Sequence, residues 1–193
     1  TCKSYGEREI FKRLKEDPGT EGWTVLHSLD LPNHVHQIWG EIDFVILVPG
    51  KGVLCLEAKG TSRLRRGENQ EWYYGNDPVP DKTGPFKQSA SGMQSLRRNI
   101  SERWQHFSRL LFFSAVIFPY VPFQEEGEWH PWQVIDQPQF NSKPISYLVN
   151  KVLDLAGKHV SSKPTSTWYN PSSGEPSQER CDQLAKLLRP SFE

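Results

Sequence analysis

The chain has 193 residues, of which 36% are hydrophobic, with seven Trp and ten Phe; that excludes a disordered chain and suffices for one real core. Its 23 Lys and Arg balance 23 Asp and Glu, so the charge does not indicate attraction of the whole molecule to nucleic acid and any such contact must come from local patches. Three distant cysteines without Cys-x-x-Cys spacing imply neither a disulfide framework nor a zinc site.

In chain order, Tyr5 to Glu16 has the spacing of an amphipathic helix, with Ile10, Phe11 and Leu14 on its apolar side. Ser4 is its N-cap and Glu7 stands at capping-box distance; Asp17-Pro18-Gly19 ends it. Trp23 to Leu31 reads as a strand. Residues 38–60 read as a β-hairpin whose arms, Phe44 to Val48 and Val53 to Leu56, are apolar enough to be buried on both faces. Pro49-Gly50-Lys51-Gly52 supplies the turn. Glu71 to Tyr74 predicts a short strand, and a loop rich in Pro, Asp and Gly leads to a helix from Pro85 to Gln105. Leu110 to Tyr120 is a β-rich apolar run, its apolar core too short to span a membrane. Trp132 to Ile135 predicts an edge strand and Ile145 to Leu155 a helix. Ser161 to Ser177, with Pro164, Pro171 and Pro176, reads as a loop, and Glu179 to Leu188 as a closing helix.

This order predicts an α/β fold, a central mixed β-sheet flanked by helices. Residues 1–160 form the expected domain and 161–178 a loop or linker. The final stretch, 179–193, is expected to be a helix leading toward a further domain. With no signal peptide or membrane span visible, a cytoplasmic, reducing compartment is expected.

The chemistry concentrates on the hairpin. Gly40-Glu41-Ile42-Asp43 carries acids on the first arm, and Glu57-Ala58-Lys59 carries an acid and a lysine on the second. Two carboxylates supply the hard oxygens that Mg²⁺ or Mn²⁺ prefers, and a lysine can orient water or steady charge on a phosphate. Side-chain alternation puts Glu57 and Lys59 on one face, with Leu54, Leu56 and Ala58 on the other. Glu41 and Asp43 likewise share a face, opposite Ile42, Phe44 and Ile46. A four-residue loop at 49–52 would pair Phe44 with Glu57 and separate the acids, so convergence of Asp43 and Glu57 requires an odd loop or a bulge. Arg63, Arg65 and Arg66 follow directly and are candidate phosphate contacts, although a solvated charged face explains them as well. His34-Val35-His36 could share a strand face as a ligand pair.

Gly6-Glu7, Gly40-Glu41-Ile42-Asp43, the run Gly52 to Lys59 and Pro85-Phe86-Lys87-Gln88 together resemble the nuclease-related domain family. That family is a branch of the restriction-endonuclease-like PD-(D/E)xK superfamily, and the resemblance spans roughly residues 5 to 105. It implies a restriction-endonuclease-like fold in which Asp43, Glu57 and the Ala58 carbonyl hold Mg²⁺ or Mn²⁺ and Lys59 is the catalytic lysine. Glu7 resembles the first-helix acid that organises the metal or its waters, a capping role standing beside this one. Gln88 resembles the helix glutamine that borders such sites. Ile42 replaces the proline that names the superfamily. The activity implied is metal-dependent hydrolysis of DNA phosphodiester bonds, as the nuclease module of a larger DNA-processing or defence protein. The alternative is a DNA-binding or end-sensing module with weak or no cleavage, fused to a helicase or other enzyme. A third reading, an interaction scaffold, rests on neutral charge and on Trp129, Trp132 and Trp168 if these are exposed. DNA is the expected partner, without a membrane, and a homodimer is left open.

Overall fold

The computed structural model describes residues 4–30 and 41–188. Residues 38–40 of the expected hairpin, Leu31, the His34–His36 pair and everything after Leu188 lie outside them.

Helix α1 (Tyr5–Glu16) starts at Ser4, whose Oγ accepts a hydrogen bond from the Glu7 amide at 3.2 Å, and buries Ile10 and Leu14. Strands β1 (Thr24–Asp30), β2 (Glu41–Val48) and β3 (Gly52–Ala58) form an antiparallel meander. A small hairpin follows, β4 (Leu64–Arg66) on β5 (Trp72–Tyr74). Helix α2 (Pro85–Arg103) then crosses the sheet to β6 (Phe112–Ile117), which lies parallel to β3. β7 (Val134–Ile135) adds a parallel edge, and α3 (Gln137–Ser142), α4 (Ile145–Ser161), α5 (Pro171–Gly174) and α6 (Gln178–Leu188) follow. Among the described residues, the main sheet runs β1-β2-β3-β6-β7, a five-stranded mixed sheet. This is the α/β, restriction-endonuclease-like architecture expected from the sequence.

The continuous apolar runs of β2 and β3 are explained by cover on both faces. Phe44, Ile46, Leu54 and Leu56 meet α1 and α4, which contributes Leu148, Val149 and Val152. Val45, Leu47, Val53 and Cys55 meet α2 and α6 through Met93, Leu96, Ile100 and Leu184. Ile42 breaks the expected alternation and joins the α2 side, where a Cβ at Gly92 would sit only 2.9 Å from its Cγ1; the glycine makes the room. Strand β4 and helices α3 and α5 were not legible: three to six residues carry too little periodicity to register. Helix α4 runs past the expected end at Leu155 because Ala156 and Val160 continue its buried stripe.

Ser89 anchors α2 to the sheet. Its buried hydroxyl bonds the Cys55 carbonyl at 3.2 Å and the Ala115 carbonyl at 3.0 Å, spanning β3 and β6. Ser89→Ala should therefore destabilise the fold by about 0.5–1.5 kcal/mol, the net worth of one hydrogen bond, since both carbonyls keep their donors in the β3–β6 ladder. Urea unfolding followed by circular dichroism should show a lower midpoint with an unchanged slope; an unchanged midpoint would mean water replaces the hydroxyl.

Candidate functional site

The turn of the β2–β3 hairpin sets the register. Val48 pairs with Gly52 across three residues, and the Lys51 amide donates to the Val48 carbonyl at 3.1 Å. Pro49 and Gly50 fill the two central positions; Gly50 has φ of 73°, a left-handed value that favours glycine. The pairing runs from Val48↔Gly52 to Phe44↔Leu56, so continuing it sets Asp43 opposite Glu57. The odd loop required for convergence is present. Asp43 Oδ2 accepts a hydrogen bond from the Ala58 amide at 2.9 Å, tying it to the strand that carries Glu57 and Lys59.

Lys59 Nζ lies 2.7 Å from Glu57 Oε1 and donates to Gln88 Oε1 at 2.8 Å. Gln88, in the first turn of α2, donates through Nε2 to Asp81 Oδ2 at 3.3 Å. The Tyr74 hydroxyl donates to the same oxygen at 3.1 Å, and Lys59 Nζ stands 5.4 Å from the Tyr74 ring centre. Asp81 Oδ1 accepts from the Thr83 and Gly84 amides, which holds the loop before α2 in place. The result is a connected network of carboxylates, lysine, amide and phenol at the end of β3.

Its charge balance is unusual. Glu57 is only 8% exposed. Burial first, and then the negative charge of Asp43, push its carboxyl up to about 7, against the opposing pull of Lys59. Burial and Asp81 likewise push the Tyr74 phenol above its ordinary value. A cation here would draw on the Asp43 and Glu57 carboxylates, the Ala58 carbonyl and solvent. These are hard oxygen donors suited to Mg²⁺ or Mn²⁺, which keep several waters. Among the described residues, no three His, Cys, Asp or Glu side chains form a ready-made cage for an ion.

Glu7 approaches from α1. Its carboxylate, 8% exposed, lies 2.8 Å from His27 Nε2 on β1, and the His27 ring packs on Phe44 at 4.9 Å. Glu7, Ala58, Lys59 and Tyr74 line one open groove of about 520 Å³. Helix and strand meet closely there: a Cβ at Gly6 would sit 2.9 Å from the Gly60 Cα.

Strand alternation divides the three arginines. Arg65 is exposed and stacks over Tyr73 at 3.9 Å, and exposed Arg63 reaches Asn76 at 3.4 Å. Arg66 turns to the other face of β4. There it donates to the Glu126 carbonyl at 2.9 Å and covers Trp72 and Trp129. Trp129, Trp132 and Trp168 are half-buried, packed on Phe86, His130 and Arg97. Their exposure, which the scaffold reading requires, is not found. His27, Tyr74 and Asp81 were not singled out from the sequence. The only available sign of Asp81 was an acid four residues before the helix start at Pro85, within a Pro-rich loop.

The elevated Glu57 carboxyl has a consequence for stability. A group whose folded value lies above its ordinary one, near 4.5, stabilises most when protonated. That contribution is full below pH 4.5 and is lost as pH rises toward 7. In chelator, Glu57→Gln should match the parent in thermal stability near pH 4.5 and gain on it steadily up to about pH 7, as scanning calorimetry can follow. A pH-independent difference between the two would contradict this.

The family model for the nuclease-related domain matches residues 3–119, from the start of α1 to the end of β6 and just beyond. No curated protein and no solved structure matches the chain significantly. The matched stretch covers more than half of the chain and contains the whole network of Asp43, Glu57, Lys59, Gln88 and Asp81: the chain belongs to the nuclease-related domain family.

Proposed function

We propose that the chain is a metal-dependent deoxyribonuclease acting at the end of β3. One observation carries the reading: the hairpin register brings Asp43 opposite Glu57 while Lys59 is held between Glu57 and Gln88. A structural ion pair needs neither a second carboxylate set opposite the first nor a polar clamp on the lysine. Mg²⁺ or Mn²⁺, bound by Asp43, Glu57 and the Ala58 carbonyl, would supply Lewis acidity, lowering the pKa of a water and neutralising phosphate charge.

The chain's own residues do the rest. Burial and the neighbouring charge of Asp43 disfavour the ionised form of Glu57, an unfavourable placement that a bound cation would relieve. Lys59 has three donors, of which Glu57 and Gln88 engage two. The third serves the attacking water or a non-bridging phosphate oxygen. Gln88 fixes the direction of the ammonium, and Asp81 fixes Gln88. Glu7, steadied by His27, orders solvent on the α1 side of the groove. Arg63 and Arg65 provide exposed cations beside the groove for the DNA backbone. The expected products carry 5′-phosphate and 3′-hydroxyl ends. Among the described residues no helix is long and apolar enough to cross a membrane, and Cys55 and Cys181 are buried free thiols. Both suit the cytoplasmic setting we assign.

Plasmid and linear DNA, incubated with Mg²⁺, Mn²⁺, Ca²⁺ or EDTA, should be cut only with the first two. Lys59→Ala should keep the fold and DNA affinity but lose cleavage by about 10²–10³, the scale for removing one preorganised donor. Glu57→Ala should lose metal affinity as well. Cutting in EDTA, or parental rates from Lys59→Ala, would remove this site as the catalytic centre. Binding without cutting in any metal would instead assign a DNA-binding module.

Arg63→Ala combined with Arg65→Ala should weaken DNA binding evenly across sequences and reduce its salt dependence by about one to two phosphate contacts. Filter binding between low and moderate salt measures this; an unchanged slope would make the pair a solvated face.

A further inference from the structure

Beside the proposed site lies a second cavity of about 480 Å³, walled by Trp72, Phe86 and Trp129 and rimmed by Arg66, Lys82 and Lys87. Its aromatic wall is a built object. Phe86 and Trp129 stack at 4.1 Å with planes 8° apart, and Trp72 contacts both rings. The Arg66 guanidinium stands 4.7 Å from the Trp72 ring centre and 5.3 Å from that of Trp129. Carbonyls of Glu126 and Gln70 hold its terminal nitrogens, while its buried Nε finds no acceptor among the described residues. Gln70, at the same rim, is the non-glycine residue with positive φ (67°) among the described residues, an uncommon conformation kept on the β4–β5 turn. Lys82 and Lys87 are exposed, so their charge is free to meet a ligand. Glu128 contributes the acidic side chain of the lining.

This cavity and the proposed catalytic network share their supports. Trp72 and Tyr74 stand two residues apart on β5, about 6.6 Å along a strand. Lys87 lines the cavity, while its neighbour Gln88 holds Lys59. Aromatic rings with interleaved cations form the usual combination for unpaired nucleotides: bases stack on or against the rings and cations track the phosphates. An apolar ligand would leave the exposed Lys82 and Lys87 unused, and a duplex would keep its bases stacked and out of reach.

We infer that this cavity is a subsite for an unpaired nucleotide of the strand being cut, so that the substrate is single-stranded or frayed DNA. The inference rests on the nuclease reading for its biological sense but not for its test. Fluorescently labelled oligo(dT) and a blunt duplex of equal length are titrated in Ca²⁺, with intrinsic tryptophan fluorescence read in parallel. Oligo(dT) should bind tighter than the duplex and quench tryptophan emission. Trp129→Ala should weaken oligo(dT) binding roughly tenfold, within the range for loss of one stacking contact. Lys82→Ala with Lys87→Ala, surface changes that spare the fold, should flatten the salt dependence for oligo(dT) by about one to two contacts. Equal affinity for duplex and single strand, or parental oligo(dT) binding by both cavity variants, would overturn the subsite whether or not Lys59 proves catalytic.

Discussion

Holding the Glu57 carboxylate almost fully out of water, opposite a second carboxylate, is costly, and much of the surrounding structure answers that cost. Lys59 supplies the countercharge, and Gln88 keeps Lys59 from swinging out to solvent. Asp81 in turn fixes Gln88, Tyr74 and the backbone entering α2. Ser89, one residue further on, locks that helix to β3 and β6. The helix that crosses the sheet is thus placed by the same few residues that surround the acid. Loosening any one of them changes how the acid is solvated.

The sheet, its long helices and the position of the hairpin were legible because they depend on runs of apolar residues long enough to carry a period. Phe44 to Val48 and Val53 to Leu56, short apolar runs on either side of a turn, are as expected of strands covered on both faces, and both faces are covered. The convergence of Asp43 and Glu57 was legible only as a condition, since one residue more or less in the turn reverses it. The turn is settled by Gly50 with its positive φ and by Pro49 before it, whose combined effect on register no local propensity reveals. The partners Asp81, Tyr74 and His27 were hidden for another reason. Each comes from a loop, a three-residue strand or a separate edge strand, and meets the site through tertiary contact alone.

The arginine cluster shows how a strand of three residues can redistribute a charge run. In sequence, Arg63, Arg65 and Arg66 look equivalent. Pairing of β4 with β5 sends Arg65 outward and Arg66 inward, onto an aromatic layer assembled from β5, the start of α2 and the loop at Trp129. Chemistry assigned to a run of like residues therefore has to wait for the pleat.

The family match ends at residue 119, but the buried core does not. Helix α4 supplies Leu148, Val149, Val152 and Leu153 to one face of the sheet, and α6 supplies Cys181 and Leu184 to the other. The hairpin turn itself is tied down from outside the matched region, through the Gly50 amide and the Pro176 carbonyl at 2.7 Å. The stretch that is recognisable by kinship is thus shorter than the stretch that can fold. A fragment cut at the end of the match would carry every acid and lysine of the network on a sheet with bare apolar faces. Folding of the matched stretch therefore depends on residues that the match does not reach.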